Sequence, residues 1–207
     1  MLVHEAKEIV GGIGNPSKMP GKAYGLPAAV CKVGTALRKV PGSVCAGCYA
    51  FERGRYAMAP VKAAQYRRLD SLNNLPLWIK AMVVILKDRQ AWFRWHDSGD
   101  LQSWAHLLAI VEVAKQCPTT SFWLPTKEKA LVIQYLRNIG AFPSNLLVRL
   151  SGAMVDGKAP DFPHTSTVHA DTQGEGHVCP APRQSGECGN CRACWNESVS
   201  NVSYHVH

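Results

Sequence analysis

The stretch Ala91-Trp-Phe-Arg-Trp-His-Asp-Ser-Gly-Asp100-Leu-Gln-Ser-Trp-Ala-His-Leu-Leu-Ala-Ile110-Val-Glu-Val-Ala-Lys-Gln-Cys117 contains one complete structural unit. Its first five residues read as a short strand. A polar, glycine-containing turn follows, then an apolar helix from Ser103 to Cys117 with Ser103 as N-cap. The unit repeats downstream: Ser121 to Leu124 is a second strand, and Lys127 to Ile139 a helix closed by Gly140. Leu146 to Leu150 is a third strand and Thr165 to Ala170 a fourth. Strands recurring roughly every 20 to 30 residues, with helices between the first three, are the signature of βα units on a parallel sheet. The expected class is therefore α/β, as a short partial TIM-like barrel or an open sheet.

Upstream, Arg55 to Leu72 reads as a helix and Leu75 to Gln90 as a second one, with an apolar stripe through Trp78, Ala81, Met82 and Ile85. Gly11 to Pro41, rich in Gly, Pro and Lys, reads as an irregular arm. After Asp171 the composition turns to Gly, Pro, Cys and polar residues. The expected division is a core of residues 1–171, including an N-terminal cysteine loop, and a cysteine-rich iron–sulfur segment of residues 172–207.

Polar residues gather where the strands end. His96, Asp97, Ser98 and Asp100 follow the first, Thr126 and Lys127 the second, Ser151 the third, and His169 lies late in the fourth. Parallel α/β folds bind ligands at that edge. Asp97, Asp100, Lys127 and Arg149 are the candidate catalytic residues, and His96, Ser98 and Ser151 the candidate cofactor-binding ones. Each has a structural alternative. Asp97 can satisfy turn N–H groups, Asp100 can start the following helix, and His96 can be a hydrogen-bonded core histidine. Arg149, between Val148 and Leu150 on a buried strand, must bind an anion or form half of a buried pair. Trp92, Trp95, Trp104 and Trp123 read as core and shielding.

The cysteines carry the chemistry. Cys179-Pro180 precedes Cys188-Gly-Asn-Cys191-Arg-Ala-Cys194-Trp195. Two-residue gaps plus a remote Cys-Pro fit the ligand pattern of a cubane iron–sulfur cluster; a zinc tetrahedron is the rival. Gly186 and Gly189 flank Cys188 and can supply positive φ. Cys31, Cys45 and Cys48 form a second group able to hold a cluster with one iron open, or part of a single zinc site shared with the C-terminal thiols. Cys117 reads as a buried apolar residue. His205 and His207 read as frayed surface residues.

Eight cysteines with no apolar leader over Met1 to Val10 point to the reducing cytoplasm, where clustered thiols mean metal. The longest apolar run in a helical context, Ala81 to Leu86, is too short for a bilayer, and no membrane association is expected. A 46% hydrophobic composition excludes a largely disordered chain. The net charge of +8, with pI near 9.2, leaves room for nucleic acid as a partner. The basic residues are scattered, however, so a small-molecule substrate or a redox partner is preferred.

Leu26-Pro27-Ala28 before Cys31, Cys45-Ala-Gly-Cys48-Tyr49-Ala50, Arg94-Trp-His-Asp97-Ser-Gly-Asp100 and the Cys179 to Trp195 segment together resemble the phage-encoded "gene product 88" family, over roughly positions 14 to 207. The resemblance implies a bacteriophage or prophage protein, working in the cytoplasm of an infected bacterium. More distantly, the layout is similar to radical S-adenosylmethionine enzymes, with a three-cysteine loop, a βα partial barrel and a C-terminal auxiliary cluster. It departs from them in the long gap between Cys31 and Cys45, in its short barrel, and in carrying Ser98-Gly99-Asp100 where that family has Gly-Gly-Glu. The expected cofactors are one or two [4Fe-4S] clusters, with S-adenosylmethionine as a further candidate and zinc as the alternative. The expected function is a small redox or radical-type enzyme. The rivals are a zinc-stabilised nucleic-acid-binding protein and a simple electron carrier.

Overall fold

The computed structural model describes residues 1–51, 53–171 and 173–206; His207 lies outside them. Seven strands form one sheet with every neighbouring pair parallel: β1 (Lys22–Tyr24), β2 (Trp92–Trp95), β3 (Ser121–Thr126), β4 (Leu146–Val155), β5 (Thr165–His169), β6 (His177–Val178) and β7 (Asn201–His205). The order is β1-β2-β3-β4-β5-β7-β6. β1 and β6 are the two ends of this order and do not pair with each other, so the sheet is open and not a closed barrel; Gly14 bridges Ala23 on the outer side of β1.

Alternation along the strands sorts side chains between two faces. Phe93 and Trp95, Phe122 and Leu124, and Leu146, Val148 and Leu150 point into one hydrophobic core. That core is shared with α1 (Val3–Ile9), α4 (Leu75–Leu86), α5 (Trp104–Gln116) and α6 (Lys129–Asn138). Local chemistry starts these helices where the core needs them. Asn74 Oδ1 accepts from Leu77 N–H (3.2 Å) at the head of α4, and Ser103 Oγ accepts from His106 N–H (3.1 Å) at the head of α5. α3 (Ala59–Ser71) leads through a short 3₁₀ turn into α4. Among the described residues this combined run, Ala59–Leu86, is the one long and apolar enough to cross a bilayer, beyond what the short run Ala81 to Leu86 suggests. Within α4, Trp78, Ala81, Met82, Ile85 and Leu86 are buried in the core.

The opposite face of the sheet carries Arg94, Trp123 and Arg149, alternating with the core residues. The cysteine-rich segment lies against this face, with Trp195 packed between Trp92 (5.6 Å) and Trp123 (5.3 Å). Its indole N–H donates to Phe93 O at 3.0 Å.

The arm expected to be irregular, Gly11 to Pro41, contains β1, a 3₁₀ turn (Ala28–Val30) and α2 (Lys32–Leu37). β1 is three residues long between Gly21 and Gly25, too short to show periodicity. β7 is equally hard to see, because two of its three buried positions are polar. Asn201 and Ser203 are paid for by hydrogen bonds such as Asn201 Nδ2 to Thr167 Oγ1 (3.0 Å) and His169 Nδ1 with Ser203 Oγ (2.7 Å).

Candidate metal centres

The N-terminal group is assembled from loops at the C-terminal edge of the sheet. Chain leaving β1 passes beneath the turn after β2, where any Cβ on Gly25 would collide with Asp97 Oδ1 and Ser98 Oγ. Leu26 N–H donates to Ser98 O (2.9 Å), extending the β1–β2 pairing and fixing the path toward Cys31. Cys31 is the N-cap residue of α2, and Glu128 Oε1, at the head of α6, accepts from Val33 N–H at 3.1 Å. The chain then turns back and bridges the tail of β4. Val44 N–H donates to Ala153 O (2.9 Å) and Val155 N–H to Gly42 O (3.0 Å), which places Cys45. Cys48 follows in a tight turn, with its N–H on Cys45 O at 3.3 Å.

All three are free, partly exposed thiols. A Cβ at Gly34 would stand 3.7 Å from both Cys31 Sγ and Cys45 Sγ, and 2.9 Å from Cys31 Cβ. The two sulfurs thus face one small space that only a residue without a side chain leaves open. Burial pushes the Cys31 thiol up to about 12, and Asp100, Cys48 and Cys45 add to the shift. Burial raises Cys45 as well, opposed first by Lys127. The Lys127 ammonium donates to Gly152 O (2.6 Å) and is lowered by burial, while Cys45, Asp100, Cys48 and Cys31 support its charge. Thiols kept protonated by burial and by one another, beside a lysine, are a set whose protons a metal would displace.

The C-terminal group is built from one stretch. Cys179 N–H donates to Ser203 O of β7 (2.8 Å), Cys188 N–H to Lys18 O (2.9 Å), and Cys191 N–H to Cys188 O (2.9 Å). Gly186 and Gly189 take φ of 78° and 50°, the conformation their positions beside Cys188 called for. Burial raises Cys179, Cys188 and Cys194, the last to about 11; Cys191 raises the first two, and Cys179 and Cys188 both raise Cys194. The four thiols therefore share one neighbourhood, distinct from the N-terminal one. Cys191 Sγ lies 3.4 Å from His177 Nε2 and Cys194 Sγ 3.1 Å from the Tyr204 hydroxyl. Among the described residues, no three His, Cys, Asp or Glu side chains stand close enough to hold a single metal ion. Cys117 is fully buried in the core, apart from both groups.

The polar strand-end residues divide sharply. Lys127 stands beside the N-terminal thiols. Asp97 lies nearby, with Tyr49 Oη donating to its carbonyl (3.1 Å) and Tyr56 Oη 3.4 Å from Oδ2. Asp100 is buried and spent on structure. Its Oδ1 accepts from Leu101 N–H (2.7 Å) and Thr126 Oγ1 (2.6 Å), and its Oδ2 from Lys127 N–H (2.8 Å). Burial nevertheless lifts its pKa to about 6. Ser98 Oγ donates to Leu26 O (2.8 Å) and accepts from Gln65 Nε2 (2.7 Å). Ser151 Oγ receives Ser166 Oγ at 3.1 Å. His96 turns to the helical side, its ring 5.4 Å from that of His106, with both nitrogens lacking hydrogen-bond partners.

Arg149 departs from both expectations, anion site and buried ion pair. Fully buried, it gives all five N–H groups to carbonyls: Cys194 (3.0 Å), Thr165 and Ser200 (3.2 Å each), Ala193 and Asn196 (2.9 Å each). Neutral dipoles take the place of a counter-charge and strap the cysteine segment to the sheet. Residues that sequence reasoning passed over are Gly34, Glu128, Tyr204 and, as a site residue, Arg94. Arg94 alone gave a signal, since a charge alternating with aromatic residues in Trp92-Phe-Arg-Trp95 must face something polar.

No curated protein and no solved structure matches the chain. The family model described as gene product 88 matches residues 3–197, nearly the full length and both cysteine groups. The chain belongs to the gene product 88 family.

Proposed function

We propose that the protein is an iron–sulfur redox enzyme acting in the cytoplasm of a phage-infected bacterium, with a three-thiol centre for chemistry and a four-thiol centre for electron relay or stapling. The observation that carries this reading is the segregation of seven cysteines into a group of three at the sheet edge, where Cys31 feels Cys45 and Cys48, and a group of four in the Trp195 segment, where Cys194 feels Cys179 and Cys188. Thiolate-only donor sets suit soft metals and iron–sulfur clusters. A polynuclear cluster takes its thiolates farther apart than a single ion does, in keeping with thiols that feel one another without converging on one point.

Cys31, Cys45 and Cys48 would hold the first cluster, and Cys179, Cys188, Cys191 and Cys194 the second. Bound there, such clusters would supply one-electron chemistry. Gly34 keeps the space between Cys31 and Cys45 open, and Lys127 holds a positive charge beside the three thiols. Three ligands leave one iron free for a substrate or for S-adenosylmethionine, the finer form of this reading.

Anaerobically purified protein should contain about eight irons per chain with matching sulfide and a brown absorption band. Cys45→Ala should remove about half the iron. One or two zinc ions in a colourless protein would replace this reading with a zinc-stabilised one, and nucleic-acid binding would then be the next measurement.

A further inference from the structure

Arg94 is the counterpart of Arg149 in its place on the sheet but not in its partners. Both sit on strands of the sheet, alternating with core residues, and project from the face opposite the helices. Arg149 has all five donors satisfied. Arg94, among the described residues, donates to nothing. Its Nε is buried without a partner, and its guanidinium carbon lies 4.5 Å from the centre of the Trp123 ring. Trp123 is its register partner on β3, only 4% exposed, and its own indole N–H is likewise buried without an acceptor.

Two adjacent unmet donors, one of them cationic, are costly in a folded protein unless something accepts from them. The groups around Arg94 explain why no side chain does. Burial works against its charge, while Tyr49, Asp97 and Tyr56 on one side and Tyr204 on the other favour it. Among the described residues, Asp97, Tyr56 and Tyr204 spend their hydrogen bonds elsewhere and form none with it. Tyr49 adjoins Cys48, and Tyr204 touches Cys194, so the unmet donors lie between the two cysteine groups. Arg94 is only partly buried, which leaves a small molecule a way in.

We infer that Arg94 and Trp123 form an oxyanion site, and that the enzyme's small-molecule substrate carries a carboxylate or phosphate group held there by the guanidinium and the indole N–H. A planar guanidinium backed by an aromatic face suits such a group, because its fork can meet two oxygens at once. Placement between two redox centres rests on the proposed function; the binding itself does not, since neither donor needs a metal.

The test is calorimetric titration of the purified protein with inorganic phosphate and, separately, acetate at fixed ionic strength. One saturable site per chain is expected, and the tighter probe identifies the oxyanion. Arg94→Gln should weaken binding roughly tenfold to a hundredfold, and Trp123→Phe, which keeps the ring but loses the N–H, roughly twofold to tenfold. Absence of saturable binding of either anion overturns the inference. So does binding that both variants leave unchanged. If Arg94→Gln changes only the alkylation rate of Cys194, the residue neutralises thiolates and the inference falls. Should Arg94→Gln fail to fold, unchanged affinity in Trp123→Phe decides against it. Iron and sulfide assayed on the same samples keep the two readings apart: clusters without an anion site sink this one, and an anion site without clusters sinks the other.

Discussion

The two cysteine groups sit on one sheet and are built by opposite means. The N-terminal thiols come from separate turns, one following β1 and the others hung from the tail of β4 by backbone bridges, and a glycine keeps the space between two of them clear. The C-terminal thiols come from one continuous stretch, which a single buried arginine and one tryptophan fasten down. The first design depends on backbone approach and leaves a lysine beside the thiols. The second depends on a few side chains. An assembly of the first kind leaves room for a ligand, whereas one of the second kind is closed by its own fastenings.

The contrast is broken most forcefully at Arg149. Arg149→Met keeps an apolar stem of similar reach but removes all five hydrogen bonds of the strap, although Ala193, Asn196 and Ser200 keep a backbone donor on their carbonyls, at a cost of about 3–5 kcal/mol. Urea unfolding should show the loss, and limited proteolysis should cut between Cys179 and Ser200 first, with the N-terminal thiols unchanged in reactivity. A variant within about 1 kcal/mol of the parent would show that the strap is dispensable.

Gly34→Val attacks the other centre by filling space. Gly34 lies within α2 and does not adopt positive φ, and valine ranks above glycine in helix propensity, so the backbone accepts the change at no cost. The added Cβ nonetheless stands against Cys31 and between the two sulfurs. About half the iron should be lost while circular dichroism is unchanged. Full iron content would mean that Cys31 and Cys45 do not share a centre.

The same contrast governs what could be read from the sequence. The βα units were legible because strands such as Phe122 to Leu124 and helices such as α5 are long and apolar. The C-terminal group was legible because its cysteines lie close together in one stretch of chain. The N-terminal group was visible only as Cys45-Ala-Gly-Cys48; what brings Cys31 to it, the bridge of Ser43 to Met154 and the bond from Val33 to Glu128, joins residues about a hundred apart. Asp100 and Ser98 read as ligands because polar residues at a strand end look alike, whether they face a substrate or tie two turns together. Arg149 could not be resolved, because carbonyl partners leave no mark in sequence.

Acid should sharpen the difference further. His96 and His106, 3% and 1% exposed, are held neutral by burial, His96 well below its ordinary value and His106 down to about 3. Once unfolded, both take up protons below about pH 6.5, so each costs stability as pH falls from there. Asp100 works the other way. Its pKa of about 6 when folded exceeds the ordinary carboxylate value, so the folded state binds the extra proton between about pH 6 and 4 and gains stability there. At least one histidine's loss remains uncompensated, a slope of about 1.4 kcal/mol per pH unit or more, to which the partly exposed His164, lowered by its partial burial, adds a smaller part. Urea midpoints between pH 6 and 4 should follow it, and His106→Gln should flatten it. His96, His106 and Asp100 stand at or beside the turn after β2, so acid should loosen the N-terminal group first. A parent midpoint that stays level or rises toward pH 4 would contradict this.

The smallest effect belongs to Tyr204, whose hydroxyl lies 3.1 Å from Cys194 Sγ while its ring stacks on Trp123 at 6.4 Å. Tyr204→Phe keeps the stacking and removes one hydrogen bond, worth about 0.5–1.5 kcal/mol at most. If the four thiols hold a cluster, losing a donor to one sulfur disfavours the reduced, more negative state, and the potential should fall by up to about 60 mV. A potentiometric titration that resolves two centres would see one move and the other stay. Because Tyr204 touches only the C-terminal group, movement of both would mean that the centres share charge through the sheet face between them, where Arg94 lies. Two independently built sites would then have to be treated as a single electrostatic unit.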